Sequence, residues 1–201
     1  MNLELIEKDL AALDPKTKRW SAKRIHTEYL RVQNKHIKHL FWHPNMSEEE
    51  LHRNLPPIME ARIFVMRRLY RTLKNLNLDA SSAKGMLYAH TTEFASVQAM
   101  RMSFSAGVAH LRNAHEAFLR EFETEMTAAD TLEFSRRLAE KVFHCACENG
   151  SLKEAQRAFG RLEKLGFEPE SRGQLFATMM VNSCRKHRDE QLALDLVRRY
   201  R

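Results

Sequence analysis

The chain has few of the residues that build turns, sheets and disulfide frameworks. Its 201 residues include only 6 glycines, 5 prolines and 3 cysteines. That composition argues against a loop-rich all-β chain, a low-complexity chain and a cysteine-stapled scaffold. An odd number of cysteines without a secretory pattern indicates free thiols in a reducing compartment.

Long apolar runs are missing as well. No stretch of 18 apolar residues occurs, so we expect no membrane span. The first residues, MNLELIEKDLAAL, are acidic and amphipathic, whereas organelle presequences are rich in arginine and poor in acidic residues. An organellar address would therefore be unconventional or already removed.

Helical periodicity fills most of the chain, and no segment alternates as a strand would. The pattern predicts helices at about 2–13, 17–40, 47–55 and 58–76, a further helical stretch at 82–126, and helical pairs at about 131–165 and 171–201. Asp14-Pro15, His43-Pro44 and Pro56-Pro57 are expected to end helices, and Gly107 to interrupt one. Ser47, followed by three glutamates, is expected to cap a helix. The predicted fold class is all-α.

One segment near the carboxyl end has the spacing of a helical repeat. Residues 136–170 contain two apolar-periodic runs joined by Glu148-Asn149-Gly150. The first run holds Leu138, Ala139, Val142, Phe143 and Ala146. The second run and its ending hold Leu152, Ala155, Phe159, Leu162, Gly166, Phe167, Pro169 and Glu170. Gly166 is expected to close the second helix in a left-handed conformation.

This segment resembles a pentatricopeptide repeat, whose second half has a glycine, a Leu-x-x-Ala step, a phenylalanine and a Gly-x-x-Pro-Asp ending. Glu170 stands in place of the final aspartate. A second unit follows from Ser171 without the turn glycine, and its apolar positions are Phe176, Met179, Met180, Cys184, Ala193 and Val197. Residues 114–123 are a fainter echo of 155–164.

The resemblance implies antiparallel helical hairpins of the α-solenoid type and an organellar, mitochondrial location. The expected organisation is an N-terminal helical extension at 1–79, a helical pair or degenerate repeat at 80–130, and two hairpins at 131–201. The family reads single-stranded RNA one base per repeat. Its reading positions fall here on Glu140, Glu170 and Leu175. A carboxylate repels phosphate and leucine offers no hydrogen bond, so base reading by these repeats is not expected.

The net charge of +7 is concentrated in one segment. Residues 16–39 contain eight basic residues against Glu28 alone, and the rest of the chain is balanced. Clustered basic side chains neutralise phosphates and release counterions, so this basic helix is the candidate RNA-binding element. The candidate RNA-binding residues are Lys16, Lys18, Arg19, Lys23, Arg24, Arg31, Lys35 and Lys38, with Arg67, Arg71 and Lys74 as a second patch. The alternative for these charges is a solvated helix face.

Trp20 and Tyr29, together with His26, His36 and His39, are interleaved with these charges and could stack on bases. Packing in the core is the favoured alternative for the two aromatic residues. His36, His39 and His43 are a weak metal set, because no carboxylate completes it. Cys145, Cys147 and Cys184 are another weak set, since Cys-x-Cys spacing on a helix points the side chains apart. No metal, cofactor or catalytic grouping is predicted.

The sequence therefore predicts a non-catalytic, RNA-associated structural subunit of an organellar ribonucleoprotein, with the mitochondrial ribosome as the expected assembly. Its expected partners are ribosomal or other organellar RNA and neighbouring protein subunits. Two alternatives stay open. One is a helical protein–protein adaptor of a mitochondrial complex without RNA contact. The other is a mitochondrial RNA-processing or ribosome assembly factor.

Overall fold

The structure, a computed structural model, describes residues 2–40, 46–166 and 174–199. Within these residues the chain is all-α, as predicted, with ten α-helices and no β-strand. The helices are α1 (Leu3–Ala11), α2 (Asp14–Thr17), α3 (Ala22–Ile37), α4 (Glu48–Asn75), α5 (Ser81–Ala99), α6 (Phe104–Glu121), α7 (Ala128–Asn149), α8 (Leu152–Lys164), α9 (Gln174–Lys186) and α10 (Glu190–Arg199). None of the helices described is long and apolar enough to cross a membrane.

Contacts divide the chain into two compact units, Met1–Phe94 (unit 1) and Ala95–Arg201 (unit 2). The boundary lies inside α5, which runs without interruption from Ser81 to Ala99. The sequence predicts a division into three segments, 1–79, 80–130 and 131–201, and that division stays a prediction.

Unit 1 is built around the packing of α1, α3 and α4 against one another. Ile6 and Leu10 of α1 are fully buried, as the spacing of the first helix predicts. The predicted stripe on α4 is confirmed, because Ile58, Ala61, Val65, Leu69 and Leu73 are all buried. Arg68 of α4 also reaches α1 and α2, with its Nη2 2.6 Å from Asp14 Oδ2 and its Nε 3.4 Å from Glu7 Oε1.

The prediction that Pro56-Pro57 separates two helices is wrong. α4 begins after the Ser47 cap, with a capping box between Ser47 and Glu50, and continues through both prolines to Asn75. Proline fixes a backbone angle that an α-helix accepts, although its missing N–H removes a hydrogen bond. Burial of the long apolar stripe of α4 is the compensating contribution.

Gly107 also has a different role from the predicted one. The interruption between α5 and α6 lies at residues 100–103, and Gly107 is buried inside α6. A Cβ atom at Gly107 would stand 2.9 Å from the carbonyl oxygen of Ala99 and 3.1 Å from Cys145 Sγ. The glycine is therefore needed for close packing of the helices, and it does not break one.

Unit 2 contains helix pairs. α6 packs on α7, α7 on α8, α8 on α9, and α9 on α10. The two predicted helices are joined at the predicted place, but the turn is shorter than Glu148-Asn149-Gly150, because α7 continues to Asn149 and Ser151 caps α8 in a capping box with Glu154. Gly166 has a φ of +66°, the predicted left-handed ending. At that end the Nε of Arg136 donates to the carbonyl oxygen of Leu165 at 2.8 Å, which fastens α8 back to α7.

The core of unit 2 contains most of the apolar residues that carry the repeat pattern. Phe143, Ala155, Phe159 and Leu162 are buried together with Met180. The rings of Phe143 and Phe159 lie 5.6 Å apart, centroid to centroid. Phe167, Pro169 and Glu170 lie outside the described residues.

Candidate nucleic-acid interface

The position of α3 follows from one buried stripe, which is apolar except for Gln33. Ile25, Tyr29, Gln33 and Ile37 recur every four residues and are all buried. With 3.6 residues per turn, a four-residue repeat keeps these side chains on one side of the helix. That side faces the core of unit 1, so the opposite side is presented to solvent.

Four of the predicted basic residues lie on that opposite side. Arg24, Arg31 and Lys35 of α3, and Lys38 in the 3-10 turn that follows, are exposed. They are separated by seven, four and three residues, which is about half a turn from the buried stripe. We call these four residues the basic stripe. Its shape suits a linear polyanion, because the charges follow one line along the helix.

The prediction of a single basic helix over residues 16–39 is wrong in its first quarter, residues 16–21. α2 ends at Thr17 and α3 begins at Ala22. Ser21 separates them, because its hydroxyl accepts a hydrogen bond from the backbone N–H of Arg24 at 3.3 Å and caps the new helix. Lys16, Lys18 and Arg19 are exposed but do not lie on α3, and Lys23 is exposed beside the basic stripe.

Two members of the basic stripe have acidic partners within the chain. Lys35 Nζ lies 2.6 Å from Asp9 Oδ2, and Arg31 Nη1 lies 3.0 Å from Glu28 Oε2. Asp9 also accepts a hydrogen bond from His36 at 2.8 Å. The hydrogen bonds from Lys35 and then His36 hold the pKa of Asp9 below its usual value.

The other predicted charges of this region are not neutralised in this way. In the described part of the chain, Lys16, Lys18, Arg19, Lys23, Arg24 and Lys38 take part in no ion pair. Arg24 instead places its guanidinium 4.8 Å from the ring centroid of Trp20, a cation–π distance. Uncompensated charge therefore surrounds the amino-terminal end of α3 and follows its last turn.

The two aromatic residues behave differently. Tyr29 is fully buried and its hydroxyl lies 2.8 Å from that of Thr72, so its predicted place in the core is confirmed. Burial raises the pKa of Tyr29 above its usual value. Trp20 is only partly buried beneath Arg24, so the core prediction for Trp20 is not met in full. Trp20 remains near the surface of the basic segment.

The second predicted patch is on α4. Arg67, Arg71 and Lys74 are separated by four and three residues and therefore share one side of the helix, as predicted. Arg71 and Lys74 are exposed, and Arg67 is half-buried. The contacts of the neighbouring Arg68 with Asp14 and Glu7 give that arginine a structural role.

The weak metal sets gain no support from the described residues, in which no group of three or more potential ligands is close enough to hold an ion. His36 is bonded to Asp9, and His43 lies outside the described residues. Cys145, Cys147 and Cys184 are buried free thiols. Burial raises the pKa of all three, that of Cys147 to about 12.

The predicted base-reading positions do not form a site that the structure describes. Glu140 is partly buried on α7, Leu175 lies in α9, and Glu170 is outside the described residues. Sequence reasoning also missed the two counter-ions of the basic stripe. The Glu28–Arg31 pair has a helical i,i+3 spacing that could have revealed it, whereas Asp9 and Lys35 are brought together only by folding.

Comparison with known proteins adds no relative, since no family model, no curated protein and no solved structure matches this chain. The candidate interface therefore depends on charge and geometry alone.

Proposed function

We propose that this protein is a non-catalytic structural subunit of an organellar ribonucleoprotein, and that its basic stripe and neighbouring lysines and arginines contact RNA. The main observation in support is that the basic stripe lies along the side of α3 opposite the core, with Arg24, Arg31, Lys35 and Lys38. Most other basic residues of the same segment have no acidic partner in the described part of the chain. Gathering like charges in one element costs self-repulsion, which a polyanion relieves.

The mitochondrial ribosome is the assembly we propose. The argument is the resemblance of residues 136–170 to pentatricopeptide repeats, supported by the packed helix pairs α7–α8 and α9–α10. With Glu140 and Leu175 at the reading positions, we infer that the repeats serve as packing surfaces among neighbouring subunits. RNA contact would then come from unit 1 through phosphate neutralisation, which is independent of base sequence.

A charge-reversal experiment tests the RNA contact. The variant Lys18→Glu, Lys23→Glu, Arg24→Glu, Lys38→Glu changes four exposed side chains that carry no ion pair in the described residues. The matched control is Arg101→Glu, Lys153→Glu, Lys164→Glu, Arg185→Glu, which changes the net charge equally at exposed positions of unit 2. Binding of structured ribosomal RNA is measured over a range of salt concentrations.

We expect the basic-segment variant to weaken RNA binding by at least about tenfold at low salt and to flatten the dependence of log K on log salt by several units. The control should retain most of the slope. Equal losses in both variants would mean that only overall charge matters. RNA binding that stays at the wild-type level in the first variant would contradict the proposal.

The second candidate function is a helical adaptor of a mitochondrial protein complex that contacts no RNA. Asp9 and Glu28 favour it, since they already neutralise part of the basic stripe from within the chain. A transient RNA-processing or assembly factor is the third. Sedimentation of the endogenous protein with ribosomal particles, with and without nuclease, separates the three: a stable subunit stays with intact particles, an assembly factor with precursors only, and an adaptor with neither.

A further inference from the structure

Unit 2 has a surface groove that the proposed RNA contact does not use. Two adjoining cavities of about 530 and about 270 Å³ lie between α6 and α8, above α7. Both are lined by Arg112, Val142, Ala158 and Arg161, so they form one continuous depression. We call it the α6–α8 groove.

The floor and walls of the groove are largely apolar. α7 contributes Leu138 and Val142, and α6 contributes Phe104, Val108 and Leu119. From Phe104 to Leu119 the helix rises about 22 Å, or about four turns. A groove of that length with an apolar floor matches the apolar face of one bound helix.

Arginines stand on both sides of the groove. Arg112 stands on the α6 wall, and Arg157 and Arg161 stand on the α8 wall, all three exposed. Within the described residues, none of these three arginines has an ion-pair partner. A ligand that carries carboxylates along both edges would therefore find an arginine without an ion-pair partner on each wall.

The two acidic residues of the groove do not cancel this charge. Glu154 caps the start of α8, where its carboxylate accepts hydrogen bonds from the backbone N–H of Ser151 at 2.7 Å and from the Ser151 hydroxyl at 3.0 Å. Glu116 is exposed on the α6 wall. The three arginines against these two carboxylates leave the rim with a net charge of +1.

We propose that the α6–α8 groove binds an acidic amphipathic helix of a partner protein. The apolar face of that helix lies on Leu138 and Val142, and its glutamates or aspartates meet Arg112 on one side and Arg157 and Arg161 on the other. RNA is the weaker occupant, because a phosphate backbone gains nothing from an apolar floor. The proposal specifies the protein-facing surface of the proposed subunit, and it rests on unit 2 alone.

The test uses the full chain and fluorescently labelled synthetic peptides of about 16 residues, close to the helix length that the groove accepts. One peptide has leucines at helical spacing flanked by glutamates, a second has lysines in place of the glutamates, and a third has the acidic composition in scrambled order. The groove variant is Arg112→Glu, Arg161→Glu. The matched control is Arg101→Glu, Arg185→Glu, at exposed positions outside the groove lining.

We expect the acidic amphipathic peptide to bind wild type and the control, and to bind the groove variant at least about tenfold more weakly. The lysine peptide should show the reverse preference, and the scrambled peptide should not bind. Val108→Asp, an independent change on the α6 wall, should also weaken the acidic peptide without altering the circular dichroism spectrum.

Equal binding of the acidic and lysine peptides, or no loss in either groove variant, would overturn the proposal. Binding of a mixed-sequence single-stranded RNA to the same variants is measured as well. RNA binding that depends on Arg112 and Arg161, with no peptide binding, would assign the groove to RNA instead. Failure of this test leaves the RNA contact of unit 1 intact, because the two experiments change residues in different units.

Discussion

The hydroxyl groups of Tyr29 and Thr72 lie 2.8 Å apart in the core of unit 1, where α3 packs on α4. Both side chains are buried. Each hydroxyl is therefore the hydrogen-bond partner of the other, which would otherwise have no partner there. The residues are separated by 43 positions in the chain, and their pairing fixes the register between the helix that carries the basic stripe and α4.

Removing one of the two hydroxyls should therefore lower the free energy of unfolding by more than half of the amount that is lost when both are removed. We expect Tyr29→Phe and Thr72→Val each to lower the free energy of unfolding by about 1–2 kcal/mol, because each leaves a buried partner unsatisfied. The double variant should cost clearly less than the sum of the two. Urea unfolding of the four proteins measures this coupling, and additive costs would mean that the hydrogen bond contributes nothing.

Gly107 and Gly160 provide a matched pair in unit 2, since both lie inside helices. Gly107→Ala forces a Cβ to within 2.9 Å of a carbonyl oxygen, whereas Gly160 has no atom within 4 Å of an added Cβ. We expect Gly107→Ala to destabilise by about 1–3 kcal/mol and Gly160→Ala to stabilise by about 0.5–1 kcal/mol. Thermal unfolding measures both, and two changes of the same sign would contradict the close packing at Gly107.

Stability should fall as the pH is lowered through the titration of two histidines, the buried His115 and the half-buried His90. Burial is the main cause that holds the pKa of His90 and of His115 below the usual 6.5. Arg62 acts in the same direction on the pKa of His90 and Glu93 opposes it, whereas at His115 Glu116 opposes the lowering of the pKa and Arg161 adds to it. The unfolded chain therefore binds protons that the folded chain does not, so this stability is present above pH 6.5 and is lost below it.

The measurement is urea unfolding between about pH 8 and about pH 5, in wild type and in His115→Gln. The variant should show a shallower loss of unfolding free energy towards low pH, because one of the two histidines no longer titrates. Asn113→Gln, at an exposed position of α6, is the control and should keep the slope of wild type. An unchanged slope in His115→Gln would contradict the prediction.

The thiols should be unreactive until the protein opens. Cys145, Cys147 and Cys184 are buried, and burial raises the pKa of Cys147 to about 12, so the nucleophilic thiolate is scarce at neutral pH. A chromogenic disulfide reagent should react with the native protein at a rate limited by unfolding and should titrate all three thiols in urea. Rapid labelling of any of the three in the native state would contradict this burial.

Local patterns in the sequence predicted those parts of the fold that depend on neighbouring residues. The stripe at Ile58, Ala61 and Val65, the cap at Ser47 and the left-handed Gly166 each follow from residues within a few positions. Helix boundaries decided by distant contacts were missed, including the continuity of α4 and the place of the interruption before Gly107.

The same limit applies to the candidate sites. Counting charges along the sequence located the basic segment at residues 16–39, because such a count does not depend on the folded structure. The α6–α8 groove could not be predicted, since Arg112 and Arg161 are 49 positions apart and meet only when α6 and α8 pack against α7. The ion pair between Lys35 and Asp9 could not be predicted for the same reason, because Asp9 lies on α1 and Lys35 on α3.

The unbroken path of α4 through Pro56 and Pro57 has a thermodynamic consequence of its own. Neither proline has an N–H to donate, so the carbonyls four residues earlier, at His52 and Arg53, receive no bond from them. The first two turns of α4 are thus joined to the remainder by fewer backbone bonds than an ordinary helix would have. We expect these turns to open without disturbing the buried stripe beyond Ile58, so amide protons at residues 50–55 should exchange ahead of those at 61–73.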